Sequence, residues 1–376
     1  MFKIFPMALT LAVPFGLSAC AAESTVSENW IADFDDRMQV ELESNNIPGM
    51  AVALVDGNKT VFSQTYGLRD VENNIEVDEN TLFHIASTHK SLTSMLIATL
   101  VDDNVVAWDT PVVEYYSDFQ LASAASTDSV TLTHLLSMSS GISASAEDLL
   151  PETPAINDVF RVAKESTLLG APLEEFSYSN ISTSIAGYVG VIAKNGSNET
   201  LFDEYANTLK SRVLDPIGMT HSTLYASDAQ QSGNLSKAYQ ISASGESVLI
   251  DSRDVDGDVL APSGSLKSNI QDMALYLNTQ LNDGVAPNDN QVVSAENLRK
   301  TKQPILDDYA MGWESINYKE TEVLMHTGSF DGFVSVLVLI PVRDTGLVLL
   351  ANSESGEELT DNIYKILLDI MISSED

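Results

Sequence analysis

The chain has 376 residues, 44% of them hydrophobic and 19% charged, which is too apolar for a disordered protein and long enough to enclose a sizeable core. Lys and Arg total 19 against 54 Asp and Glu, a net charge of −35. With no surplus of cations to release counterions from phosphates, nucleic acid is excluded as a partner, and adsorption to anionic lipid is disfavoured. The acids are dispersed along the chain rather than gathered in a tail, which describes a solvated, self-repelling surface of the kind that suits a saline medium.

Residues 1–19 read as an export signal. Lys3 is followed by a nearly uncharged stretch from Ile4 to Leu17, broken by Pro6 and Pro14 and too short to span a membrane. It ends in Leu17-Ser18-Ala19-Cys20, which resembles the bacterial lipobox, and Cys20 is the single cysteine of the chain. That resemblance implies a lipid anchor at Cys20, a tether over 20–29, and a domain held at a bacterial membrane on its periplasmic side, in the cell envelope. An ordinary signal cleaved near Ala21 or Ala22 is the alternative. No internal disulfide is available.

Residues 30–376 read as one domain. Trp30, Phe34, Met38 and Leu42 recur every four residues and predict an amphipathic helix. Met50–Val55 and Thr60–Tyr66 flank Asp56-Gly57-Asn58 as a hairpin. The stretch 105–290 is rich in helical patterns, such as Leu201, Tyr205, Leu209 and Val213, broken by Pro, Gly and Ser loops. Phe333–Ile340 and Leu347–Ala351 predict two strands apolar on both faces, and Ile363, Ile366, Leu367, Ile370 and Met371 a closing helix. This order predicts an α+β fold: an antiparallel sheet from about 30–104 and 291–376, flanked by the terminal helices, with a mainly helical region inserted over about 105–290. A cleft is expected at the seam.

Three short motifs fall near that seam. Ser87-Thr88-His89-Lys90 opens a strongly apolar helix, and the i, i+3 spacing puts Ser87 and Lys90 on one face. A serine needs a base to become a nucleophile, and a lysine desolvated by apolar neighbours can serve. Tyr178-Ser179-Asn180 lies in a polar loop, whereas Tyr205-Ala206-Asn207 and Tyr276-Leu277-Asn278 sit in helical patterns that predict core tyrosines. His326-Thr327-Gly328 precedes the strand from Phe333, with small residues against which a substrate could lie. Ser252-x-Asp254-x-Asp256-Gly257 looks like part of a calcium loop, but Ser263 stands where the bidentate Glu belongs. His84 and His89, five residues apart, do not share a helix face, so a paired zinc site is not expected.

Order and spacing of the three motifs make the chain similar to the serine β-lactamase and penicillin-binding protein superfamily, closest to its class C β-lactamase branch with its DD-peptidase, D-aminopeptidase and esterase relatives. The resemblance spans about 30–372 and includes Leu135–Ile142, Asp215-Pro216-Ile217-Gly218-Met219-Thr220 and Met311-Gly312-Trp313-Glu314. It implies acyl transfer to water through an acyl-enzyme on Ser87, without metal or cofactor. Lys90 would be the proton partner, and Tyr178 would serve as general base and acid, its phenol pKa pulled down by Lys90. Asn180 would hold a substrate amide, and the backbone N–H groups of Ser87 and Ser329 would form the oxyanion hole. His326, Thr327 and Gly328 would line the substrate edge.

Two stretches depart from the pattern. Most β-lactamases of this branch carry Lys where this chain has His326, which turns the expectation toward D-alanyl peptides, in the manner of a DD-carboxypeptidase, or toward esters. A class C-type β-lactamase, or a penicillin-binding sensor with little turnover, remains the alternative. If protonated His326 held the substrate carboxylate, binding would weaken as pH rose through the imidazole pKa. Ala261-Pro262-Ser263-Gly264-Ser265 departs from the usual Gly-Gly stretch and reads as a variation of the cleft wall.

Overall fold

A computed structural model describes residues 28–196 and 200–373. Cys20, the export segment and most of the tether lie outside the described residues. Helix α1 (Glu28–Ser44) buries Trp30, Phe34 and Met38 on the face their spacing requires. Strands β1 (Gly49–Asp56) and β2 (Lys59–Asp70) form the predicted hairpin. Its turn, Gly57-Asn58, has φ of +53° and +64°, the mirror-image turn that matches the twist of paired strands. A short edge strand β3 (Ile75–Glu76) follows.

Helix α2 (His89–Asp102) is buried at every position from His89 to Leu100, so it runs through the interior rather than along a surface. Helix α3 (Asn180–Asn195) is buried from Ile181 to Ile192 and stops at Gly196, whose φ of +68° supplies the left-handed C-terminal turn. Helix α4 (Ile270–Leu281) precedes strands β4 (Glu314–Tyr318), β5 (Thr321–Phe330), β6 (Phe333–Ile340) and β7 (Thr345–Ala351), and helix α5 (Glu357–Ser373) closes the fold.

The seven strands form one antiparallel sheet in the order β3-β2-β1-β7-β6-β5-β4. The pairing of β1 with β7, Met50 opposite Ala351, joins the two ends of the chain. β1, β6 and β7 are buried at every residue, so both faces of the sheet are covered. The terminal helices cover only one of them, where Phe34, Ile363 and Leu367 meet Val52, Val336 and Leu349. This corrects the expectation that α1 and α5 flank the sheet on both sides. Across it, Ala51, Ala53, Leu337 and Leu350 belong to the large core shared with α2, α3 and α4. Helix α4, from the stretch read as helical insertion, packs directly on β1 and β7.

Strands β4 and β5 are additions to the predicted elements. β4 has no fully buried residue, and β5 mixes Thr, Glu, His and Gly, so neither carries a strong apolar signal. Their register places the site: β4 covers β5 only from Thr321 to Met325, opposite Tyr318 to Glu314. From His326 onward β5 pairs with β6 alone, and its other edge is open.

Candidate active site

Ser87 is the only residue between Thr81 and Leu100 that is not buried. It lies in a tight 3-10 turn, Ala86–Thr88, that leads into α2. Ala86 adopts φ of +47°, a conformation that costs a residue bearing a Cβ about 1 kcal/mol or more, and several contacts hold it there. The Ala86 N–H donates to His84 Nδ1 (3.1 Å), and the Ile85 carbonyl accepts from Thr88 Oγ1 (2.7 Å) and from Ser335 Oγ of β6 (2.6 Å). Two glycines let other segments press against this turn. A Cβ on Gly328 of β5 would stand 2.7 Å from Ile85 O and 2.8 Å from Ser87 N. A Cβ on Gly312, at φ +79°, would stand 2.7 Å from the backbone of Lys90 and Ser91. Both positions therefore admit only glycine without displacement of the nucleophile turn.

One turn along α2, Lys90 is buried and its Nζ meets three oxygens: Ser87 Oγ (3.1 Å), Asn180 Oδ1 (2.7 Å) and the Ser263 carbonyl (2.9 Å). The orientation of the Asn180 amide is settled by its ends, because Nδ2 donates to the Glu147 carboxylate (2.9 Å) while Oδ1 faces the lysine. Burial lowers the Lys90 pKa to about 7, against an opposing pull from Glu147. The three contacts suit the neutral amine. Asn180 Oδ1 and Ser263 O are acceptors only and take its two N–H groups, which leaves the lone pair toward Ser87 Oγ, the one partner able to give up a proton.

Tyr178 caps the other side of Ser87, its ring centre 4.8 Å from Lys90 Nζ. The phenol pKa is raised rather than lowered: burial dominates, the Glu147 charge adds to it, and a hydrogen bond with Ser87 only partly opposes them. This corrects the expectation that Lys90 pulls it down, and it keeps Tyr178 a proton donor at neutral pH. Tyr205 and Tyr276, the tyrosines of the two other Tyr-x-Asn matches, are buried on core helices as expected.

His326 is also buried and is held in one neutral form. Its Nδ1–H donates to the Thr327 carbonyl (2.6 Å), and its Nε2 accepts from the Tyr309 hydroxyl (2.9 Å). Burial, then the nearby Lys90 charge, push its pKa down to about 3. The expectation of a protonated His326 holding a carboxylate is thereby corrected. His326 instead joins Tyr178, Tyr309 and Phe176 in an aromatic wall with ring separations of 5.5 to 6.4 Å.

Beyond His326, β5 offers its open edge. The two-residue turn Asp331-Gly332 makes Phe330 and Phe333 a hydrogen-bonded pair, so alternation turns the N–H and C=O of Thr327 and Ser329 away from β6. The Thr327 carbonyl is taken by His326, while Ser329 is exposed. The Ser329 N–H thus faces the cleft beside the N–H of Ser87, on which Gly328 packs.

A cavity of about 150 Å³ opens at this point, lined among others by Ser87, Glu147, Asn180, Asp258, Ser263 and Ser329. The structure brings together Ser87, Lys90, Tyr178, Asn180, His326, Thr327, Gly328 and Ser329. Three roles escaped the sequence reading. Glu147 lies in a short 3-10 turn, Ala144–Leu149, and the buried Tyr309 in a loop, neither marked by a motif, and Ser263 acts through a carbonyl, which leaves no trace in residue type. His84 is stacked on Phe330 at 4.3 Å and set behind the nucleophile turn. The acids of the Ser252–Gly257 loop are engaged by protein groups: Asp254 pairs with the buried Lys267 (3.0 Å) and Asp256 accepts from the Ser227 N–H (3.0 Å). Cys20 lies outside the described residues.

The sequence model of the Beta-lactamase family matches residues 32–369. Among similar proteins, the unguisins hydrolase ungD′ of Aspergillus campestris is 29% identical over 342 residues, covering 85% of this chain and 61% of that protein. Protein flp of Staphylococcus aureus strain MRSA252 is 26% identical over 328 residues, covering 85% and 62%. The chain thus spans about three fifths of the length of these curated relatives. The solved structure of an octameric penicillin-binding protein homologue from Pyrococcus abyssi superposes with a TM-score of 0.76 at 21% identity, over 90% of this chain and 77% of that one.

Proposed function

The chain belongs to the Beta-lactamase family of serine hydrolases, and from that premise we propose that it cleaves D-amino-acid peptides or esters through an acyl-enzyme on Ser87. The observation that carries the reading is the triple contact of Lys90, which aims a neutral amine at the Ser87 hydroxyl. Lys90 takes the proton as Ser87 Oγ attacks the carbonyl carbon. Negative charge on the former carbonyl oxygen is stabilised by the N–H groups of Ser87 and Ser329. As the tetrahedral intermediate collapses, Tyr178, held as a phenol, gives its proton to the leaving group. The lysine ammonium then returns a proton to the tyrosine, which leaves Lys90 neutral for the attack of water on the ester. Asn180 orients the lysine, and its remaining amide hydrogen is available to the substrate.

The neutral aromatic wall around His326 favours leaving groups without a carboxylate beside the scissile bond. That supports cleavage of esters, and of peptide bonds whose leaving group carries no adjacent carboxylate, over efficient β-lactam hydrolysis. We further propose that the protein is an exported lipoprotein anchored at Cys20 on the periplasmic side of a bacterial membrane. Incorporation of labelled palmitate that a Cys20→Ser variant loses would support this anchor.

Intact-mass spectrometry of the domain beside its Ser87→Ala variant tests the central reading, with a D-alanyl peptide, a p-nitrophenyl ester and a penicillin as substrates. Ser87-dependent turnover of the ester or peptide is the expected result. Rapid consumption of penicillin alone would reassign the protein as a β-lactamase. A lasting Ser87 adduct with no turnover would make it a penicillin-binding sensor.

A further inference from the structure

We propose that Glu147 recognises a cationic group on the acyl half of the substrate, the α-ammonium of an amino-terminal residue, so that the enzyme releases amino acids from free N-termini. The inference rests on the acyl-transfer reading above and names the substrate class of the same site. In an aminoacyl ester of Ser87, one carbon separates the carbonyl from the α-amine. The amine must therefore lie inside the cavity that Ser87 shares with Glu147 and Asn180. At about 150 Å³ that cavity holds the few heavy atoms nearest Ser87, the α-amine among them.

The charges there have one sign. Glu147 and Asp258 line the cavity, and no Lys or Arg does. Asp258 is occupied by the Ser265 hydroxyl and the Leu260 N–H. Glu147 is different: among the described residues its hydrogen bond is the one from Asn180, on a single oxygen, Oε2. Cations nearby are committed elsewhere: Lys90, which Glu147 attracts, gives its N–H groups to Asn180 and the Ser263 carbonyl rather than to the carboxylate. Arg253, over the Phe330 ring, forms a bidentate pair with Asp331, and Lys267, behind His84, is paired with Asp254. An ammonium placed here gains a charge-assisted hydrogen bond, whereas an N-acylated amine offers Glu147 only a neutral amide N–H beside the one it already accepts from Asn180.

The test compares D-alanine p-nitroanilide with N-acetyl-D-alanine p-nitroanilide, with p-nitrophenyl acetate as a neutral reference. Wild type, Glu147→Gln, Glu147→Asp and Ser87→Ala proteins are assayed at one pH and ionic strength. The wild type is expected to prefer the free amine about tenfold or more in kcat/KM, mainly through KM, the size of a hydrogen bond between charged groups. Glu147→Gln should bring that ratio near one, and Glu147→Asp should retain part of it. Because any effect of Glu147 on Lys90 acts on both anilides alike, the ratio reports recognition alone. A wild type that cleaves the acetylated anilide as well as the free one overturns the proposal, as does a preference that survives Glu147→Gln. Ser87-dependent turnover of p-nitrophenyl acetate without turnover of the free-amine anilide overturns it too, while leaving the hydrolase reading intact. Absence of Ser87-dependent turnover of all three overturns both.

Discussion

Raising the pH from 5.5 to 9 should switch on acylation through a single group, Lys90. Its pKa lies near 7, so roughly one molecule in eleven carries the neutral amine at pH 6 and ten in eleven at pH 8. With a neutral ester as substrate, kcat/KM should climb about tenfold between those values and level off above them. The other groups of the cleft stay silent in this window: His326 and His89 are held near 3, His84 lies well below its ordinary value, and Tyr178 well above. Initial rates with p-nitrophenyl acetate at constant ionic strength measure the profile. A slope of one persisting to pH 9 would mean an ordinary, solvated lysine; a profile flat to pH 5.5 would mean that Lys90 is not the base. Either result refutes the reasoning.

The same displacement is a statement about stability. A lysine whose folded pKa is lowered binds fewer protons folded than unfolded between pH 7 and 10.5, so stability rises with pH across that window, and the full penalty applies below it. Moving the value from 10.5 to about 7 corresponds to about 5 kcal/mol. Replacing Lys90 by Met removes that penalty and forfeits three hydrogen bonds worth about 1 kcal/mol each, for a net gain of about 2 kcal/mol at pH 6. Urea unfolding should therefore show an inactive Lys90→Met protein that is more stable than wild type at pH 6 and loses this advantage by pH 10. A variant less stable at both, by the same amount, would contradict the desolvation argument.

Three further outcomes are expected. Gly328→Ala should cost about 1–3 kcal/mol of stability by overpacking, and about a hundredfold in kcat by shifting the Ser87 turn; thermal melts and ester kinetics read the two separately, and near-normal kcat would show that the turn absorbs the methyl group. Since His326 is neutral throughout, His326→Gln should leave the pH dependence of KM for a carboxylate-bearing penicillin unmoved from pH 5.5 to 8.5, any rise near pH 7 belonging to Lys90, and a rise that His326→Gln abolishes would restore a protonated imidazole. Leu349→Ala, in the strand buried on both faces, should destabilise by about 2–5 kcal/mol in urea unfolding while leaving the ester pH profile unmoved.

The architecture was legible wherever a period was strong. Trp30, Phe34 and Met38 announce α1, the Gly57-Asn58 turn announces the first hairpin, and the unbroken apolar runs of β6 and β7 require a sheet covered on both sides. β4 and β5 stayed hidden because one half of β5 spends its residues on a cleft rather than on a core. His326, Thr327 and Gly328 are chosen for an open edge and a close approach, which erases the alternation that marks a strand.

The candidate site divides along the same line. Ser87 and Lys90 share a helix face by spacing alone, and the order of Ser-x-x-Lys, Tyr-x-Asn and His-Thr-Gly assembles the remaining residues. What the sequence by itself determined is therefore which motif side chains meet; Glu147 and Tyr309 were added by the fold. The protonation of the motif side chains was decided by the tertiary structure. Lys90 is neutralised by burial beneath Asn180 and Ser263, and Tyr178 is kept a phenol by burial near Glu147. His326 is fixed by Tyr309 and the Thr327 carbonyl. Spacing along a chain specifies neighbours on one element. The free energy of a charge depends on every group that displaces water from it, and here most of those groups come from loops tens to hundreds of residues away.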